Sequence, residues 1–200
     1  MFKPSIRSLK TIESSDSILY GVVLHLDSNT ERIINDLWKE LSDNGISSYA
    51  YEIQNRKPHI TLADYSDLEE ANYKELFEQY YESAPKMCLT FSMFGTFIKS
   101  GVLFLSPNPT KELIELHLNH HNHFKQYSNL SNSMYYPERW IPHCTIANRL
   151  SSQKLLEALQ YSTNRLETIQ AEVQEISFIK MQIQDNKYIR VETILNKRLL

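Results

Sequence analysis

The sequence predicts a mixed fold of helices and strands, α/β or α+β, made of two related lobes. Three observations lead there. Short apolar runs alternate with amphipathic stretches of helical period along the chain. A six-residue segment recurs, Pro58-His59-Ile60-Thr61-Leu62-Ala63 and Pro142-His143-Cys144-Thr145-Ile146-Ala147, with its histidines 84 residues apart in a chain of 200. Each copy follows a proline and precedes a serine-capped helix, so a structural unit repeats and not only a tripeptide.

Taken in order, residues 1–16 read as a tail or surface extension. They carry Lys3, Arg7, Lys10, Glu13 and Asp16 without an apolar core, unlike a signal peptide. Residues 17–200 read as one domain with two pseudo-equivalent halves. Residues 18–26 are apolar on both faces, as in a central strand, and nine residues fall far short of a membrane span. Ser28 and Glu31 form a capping box. It opens a helix with Ile33, Ile34, Leu37, Trp38 and Leu41 on one face, closed by Asn44-Gly45. A strand is expected over residues 47–53 and a short one over 59–65. A second capping box, Ser66 with Glu69, opens a helix carrying Leu68, Leu76, Phe77 and Tyr80, and residues 87–97 read as a strand.

The second half follows the same order. Residues 102–105 read as a strand, and Pro109 marks a helix start whose helix runs to about residue 127. A polar loop with Asn129, Ser131, Asn132 and Ser133 leads to a short strand over 143–147. Ser151 and Ser152 cap a helix with Leu155, Leu156 and Leu159. Two strands, 171–183 and 188–195, close the chain around a tight Asp185-Asn186 hairpin.

Composition excludes several function classes. The 21 basic and 24 acidic residues leave a net charge of −3, which argues against a long duplex footprint but permits a nucleic-acid terminus. The four glycines, Gly21, Gly45, Gly95 and Gly101, are too dispersed for a dinucleotide fingerprint or a P-loop. Neither a Gly-x-Ser-x-Gly elbow nor a His-Glu-x-x-His helix occurs. Cys88 and Cys144 form no disulfide framework, and reduced thiols in a cytoplasmic protein are expected.

The repeated segment carries the chemistry. Strand alternation puts His59 with Thr61 on one face and Ile60 with Leu62 on the other. His143 with Thr145 and Cys144 with Ile146 divide the same way, which leaves Cys144 on the buried side, where a thiol is unreactive. If the lobes pack about a pseudo-twofold axis, the two His-Thr pairs face each other across a groove. One neutral imidazole then takes a proton from an attacking oxygen, and one imidazolium returns a proton to a leaving oxygen. Threonine hydroxyls donate to the non-bridging oxygens of a phosphodiester, where charge accumulates. Neither metal nor cofactor is required.

These paired motifs, His59-Ile60-Thr61-Leu62 and His143-Cys144-Thr145-Ile146, resemble those of the two-histidine phosphoesterase superfamily, in its 2'-5' RNA ligase-like and cyclic phosphodiesterase branch. The segment Val102-Leu103-Phe104-Leu105-Ser106-Pro107, followed by a helix with Leu113 and Leu116-His117, also looks like that family. The resemblance runs from about residue 18 onward. It implies an α+β fold, a bilobal duplicated unit with two mainly antiparallel sheets flanked by helices around a central cleft. It implies a metal-independent phosphodiesterase acting on 2',3'-cyclic phosphate ends or cyclic nucleotides, or reversible 2'-5' RNA ligation and cleavage without ATP. His59 and His143 would be the acid–base pair, and Thr61 and Thr145 the phosphate clamps. The partner would be a nucleotide or RNA terminus and the protein a monomer. Many relatives continue the second motif with Ala-Arg. Here the order is Ala147-Asn148-Arg149, and strand alternation carries Arg149 onto the His143 face.

Further candidates surround the motifs. Tyr65, Tyr135, Tyr136 and Trp140 are placed to stack on a base. Arg56, Lys57 and Arg139 precede the motifs and are candidates to attract a phosphate. His25 alternates into the first strand as a core or cleft-edge residue. His117, His120, His121 and His123 lack an acidic or cysteine ligand at metal-site spacing, so a packed or surface helix is expected and not a metal site. Two other readings stand beside the enzyme: a non-catalytic nucleotide-binding cleft, and a metal-dependent hydrolase built on the His117–His123 cluster.

Overall fold

A sixteen-residue strand at the centre of the sheet organises the molecule. The computed structural model describes residues 17–128, 133–185 and 187–200; the expected N-terminal extension, most of the polar loop and Asn186 of the expected hairpin lie outside them. Seven strands are described: β1 (Ser17–Leu26), β2 (His59–Tyr65), β3 (Met87–Gly95), β4 (Leu103–Pro107), β5 (Cys144–Ala147), β6 (Ile169–Gln184) and β7 (Lys187–Arg198). Four helices accompany them: α1 (Ser28–Asp43), α2 (Glu70–Tyr80), α3 (Lys111–His123) and α4 (Ser152–Arg165). Every described strand pair is antiparallel, so the fold is α+β.

The two expected sheets are one, in the order β2-β1-β6-β3-β4-β5 with β7 also on β6. The cause is the length of β6. Its first residues, Ile169–Val173, pair with β3, while the remainder pairs with β1 along one edge and β7 along the other. The order maps onto itself when β1, β2 and β3 are exchanged with β4, β5 and β6. Each copy of the His-x-Thr segment therefore lies on a terminal strand of that order. The sheet curls until these two ends touch. The Trp140 indole N–H fastens them, donating to the Thr61 carbonyl at 2.9 Å.

Strand alternation divides the sheet into two faces. Tyr20, Val22, Leu24 and Leu26 of β1 and Ile176 and Phe178 of β6 are buried in the core with the helices. Phe178 sits at 4.6 Å from the Tyr73 ring and 5.6 Å from Tyr20. Leu19, Gly21, Val23 and His25 line the other, concave face with Ile179 and Met181.

Side-chain caps set the helix starts; Ser151 caps α4 as expected, and the caps of α1 and α2 differ from expectation. Asp27, not Ser28, caps α1: its carboxylate accepts from the N–H groups of Asn29 and Thr30 at 3.1 and 3.0 Å. Its second oxygen accepts from the Thr30 hydroxyl at 2.7 Å and from the Glu172 N–H on β6 at 2.9 Å. A carboxylate satisfies more donors than a serine hydroxyl, so it takes the position. Glu69 caps α2 instead of Ser66, and Thr110 caps α3. Residues 47–53 form no strand. A single 3-10 turn, Tyr49–Tyr51, packs Tyr49 into the core, and Asn55 (φ 57°) turns the chain back towards β2.

Burial opposes the Asp27 charge, but hydrogen bonds from Glu172, Thr30 and Asn29 outweigh it and hold the carboxyl below its ordinary range. Its stabilisation is therefore complete above the unfolded carboxyl pKa and is lost as pH falls through the lowered folded value. Asp27→Ala is expected to remove the cap and the β6 anchor together, costing about 1–3 kcal/mol. Thermal unfolding at pH 7 measures this: a midpoint several degrees lower is expected, and an unchanged midpoint refutes the anchor.

Candidate active site

The two histidines are held by the same device. His59 Nδ1 lies 2.7 Å from the Lys57 carbonyl, and His143 Nδ1 lies 2.7 Å from the Ile141 carbonyl. A carbonyl only accepts, so Nδ1 carries the proton in both rings and Nε2 is the free lone pair. The accepting residue precedes a proline in each case. Proline restricts its predecessor to extended backbone, which fixes where that carbonyl points. This explains why the repeat begins with proline.

His59, Thr61, His143 and Thr145 all line one cleft of about 600 Å³. His59 is pushed down to about 4, first by burial and then by the positive potential of His25, Arg56 and His143. Burial lowers His143 too, and in both rings the carbonyl bond opposes the shift. Phe97 meets the His143 ring edge-on at 5.1 Å, Phe104 lies at 5.2 Å, and Tyr135 runs nearly parallel to it at 6.3 Å. The threonines have crossed neighbours. The Tyr135 hydroxyl, from the second half, is directed at Thr61, and the Tyr49 hydroxyl, from the first half, at Thr145.

Beside His59, His25 approaches the Ser177 hydroxyl through Nε2 at 3.0 Å, and Ser177 donates on to the Asn196 carboxamide oxygen at 2.7 Å. The cleft floor away from the histidines is apolar, with Val23, Ile179, Met181, Tyr188 and Val191. Gly21 deepens it, since a Cβ there would meet Met181 at 3.1 Å and Ile179 at 3.3 Å.

Not every expected contact residue reaches this cleft. Tyr65 is completely buried on the helix side, its hydroxyl 2.8 Å from His120 Nε2, so it offers no ring face to a base. Trp140 is half-buried, and His117 covers one face of its indole in a parallel stack at 3.9 Å. It braces the two edge strands and does not line the cleft. Arg149 turns away because β5 ends at Ala147 and Arg149 takes φ 57°, which breaks strand alternation. It pairs with Glu52, and Asn148 lines the cleft instead. Tyr135 does line the cleft, whereas Tyr136 is exposed beside His121. Tyr49, Phe97 and the apolar floor were not expected. Tyr49 lay hidden because residues 47–53 read as a strand.

The remaining histidines are structural. His117 Nε2 bonds the Tyr135 carbonyl at 2.8 Å and His121 Nε2 the Leu62 carbonyl at 3.2 Å. His120 is sandwiched between the Tyr65 and Tyr81 hydroxyls at 2.8 and 2.7 Å. Among the described residues, no three His, Cys, Asp or Glu side chains are grouped to hold a metal ion. Cys144 is fully buried, and burial pushes its thiol up to about 12.

A family model described as the 2'-5' RNA ligase superfamily matches residues 27–184, most of the chain and both His-x-Thr segments. The chain belongs to this superfamily. Its members' fold is also seen in E. coli LigT in apo form, at 15% identity and a TM-score of 0.61, covering 92% of this chain and 99% of LigT. LigT complexed with 3'-AMP aligns at 14% identity and a TM-score of 0.60, with the same coverage of 92% and 99%. TT0787 of Thermus thermophilus aligns at 11% identity and a TM-score of 0.57, covering 90% and 97% of the two chains. No curated protein sequence matches this one. Among the described residues, no helix is long and apolar enough to cross a membrane.

Gly95 of β3 faces Phe104 of β4, and a Cβ there would stand 2.5 Å from the Phe104 ring. Phe104 in turn packs on His143. Gly95→Ala is therefore expected to displace Phe104 and with it the His143 ring. The NMR shifts of the His143 ring protons measure this; unchanged shifts mean that Phe104 does not position His143.

Proposed function

We propose that this member of the 2'-5' RNA ligase superfamily is a two-histidine phosphodiesterase. It opens 2',3'-cyclic phosphate ends or cyclic nucleotides, or makes and breaks 2'-5' linkages by the same chemistry. One observation carries the reading: two imidazoles, each with Nδ1–H held by a backbone carbonyl, share a cleft with two threonine hydroxyls. LigT, which shares this fold, has been crystallised with 3'-AMP, phosphate, ATP and NADP+, which supports a nucleotide as the ligand class.

The electrostatics support a division of labour. His59 resists protonation most, with His25, Arg56 and His143 around it, and so serves as base. Its Nε2 takes the proton of the attacking water or ribose hydroxyl as the new P–O bond forms. His143, lowered by burial alone, serves as acid and gives its Nε2 proton to the ribose oxygen as the old P–O bond breaks. Electrons and protons balance without a redox partner. Thr61 and Thr145 donate to non-bridging oxygens. The apolar floor along β1, β6 and β7 receives the nucleoside.

His59→Ala and His143→Ala are each expected to lower kcat/KM on a 2',3'-cyclic nucleotide by about 100- to 10,000-fold with unchanged thermal unfolding. Folded variants with wild-type turnover would contradict the mechanism. Binding of a nucleotide with no turnover, by wild type and variants alike, would favour a binding module. Productive enzyme needs His59 neutral and His143 charged. Activity should rise with pH through about 4 and fall above the lowered His143 value, which lies under 6.5. The pH profile of kcat/KM tests this: a bell on the acid side of 6.5 is expected, and a plateau extending to pH 8 contradicts it.

A further inference from the structure

The scissile phosphate carries a negative charge, and among the described residues the cleft offers two strong cations to meet it, Arg56 and Lys57. Arg149, which strand alternation carried onto the His143 face, is committed to Glu52 outside the cleft. Arg56 stands differently. Its guanidinium carbon sits over the Tyr49 ring, 4.0 Å from the centroid, and the group also bonds the Tyr49 hydroxyl. The Tyr49 hydroxyl is directed at Thr145, and Arg56 is close enough to His59 to depress it. Arg56 Nε is buried and has no hydrogen-bond partner. A buried guanidinium N–H without an acceptor costs free energy unless a ligand supplies one. The contact with Tyr49 holds the guanidinium in place before any ligand arrives, and such a fork suits contact with a phosphoryl group.

We propose that Arg56 is the arginine ligand of the scissile phosphate, donating from Nε to a non-bridging oxygen between His59 and Thr145. This rests on the phosphodiesterase reading above and adds the residue that binds the charge. The cation sits on the loop before the first motif, and Tyr49, on which it rests, directs its hydroxyl at the threonine of the second, so both halves line the phosphate site. The same charge adds to the burial that lowers His59, which links phosphate binding to the base form of that imidazole.

The test compares Arg56→Gln, Arg56→Lys and Arg149→Gln with wild type in two assays: binding of inorganic phosphate by calorimetry, and hydrolysis of a 2',3'-cyclic nucleotide across pH. Thermal unfolding of each variant checks the fold. Arg56→Gln is expected to weaken phosphate binding at least tenfold and to lower kcat/KM about 100- to 1,000-fold, the loss typical of one transition-state donor. Arg56→Lys should recover part of the binding, because it keeps the charge and loses the fork. The acid limb of the kcat/KM profile should move to higher pH in Arg56→Gln as His59 is released from the cation. Arg149→Gln should match wild type in both assays. Wild-type phosphate affinity in a folded Arg56→Gln protein would overturn the proposal, as would a larger loss in Arg149→Gln. The binding assay stands without turnover, so failure of the phosphodiesterase reading remains distinguishable from failure of the Arg56 assignment.

Discussion

Everything in this molecule depends on β6 being shared. A strand of sixteen residues cannot be covered on its second edge by one short partner, so β7 takes most of that edge and β3 the rest. That sharing merges two three-stranded groups into one sheet and pushes β2 and β5 to its ends. Curvature brings the ends together, and the side that the helices leave uncovered becomes the cleft. Without Ile169–Val173, β2-β1-β6 and β3-β4-β5 would share no paired strand, and the sheet would no longer set His59 against His143.

At the site, the repeated proline is as informative as the repeated histidine. Lys57 and Ile141 are constrained by the prolines that follow them, and their carbonyls fix the tautomer of each ring. The surroundings then make the equivalent rings different. His59 faces other cations, whereas His143 is wrapped by Phe97, Phe104 and Tyr135. Equal geometry with unequal electrostatics suits an acid–base pair, because the two rings must hold opposite protonation states at the same pH.

The sequence made the local arrangement legible and the long-range pairing illegible. That His59, Thr61, His143 and Thr145 line one cleft could be read because strand alternation and repetition are properties of a few adjacent residues. The merger into one sheet could not, since it depends on β6 pairing with β3, some eighty residues before it. Arg149 was misplaced by a single backbone angle, because alternation holds only while the strand continues and β5 ends at Ala147. Tyr65 shows the other limit. An aromatic residue near a motif reads the same whether its ring meets a ligand or a core, and only the buried His120 partner decides it. Tyr49 was obscured, for the 3-10 turn that carries it has no periodicity, whereas Arg56 was a phosphate candidate from its place before the first motif.

Both imidazoles present a bare Nε2 to the cleft, and His59 is the harder to protonate. Nitrogen-15 NMR of the histidine rings across pH measures tautomer and charge together. His59 and His143 are both expected as the Nδ1–H tautomer at neutral pH, with His59 staying neutral down to about pH 4 while His143 charges first. An Nε2–H tautomer at either ring, or His59 charging before His143, would contradict this arrangement.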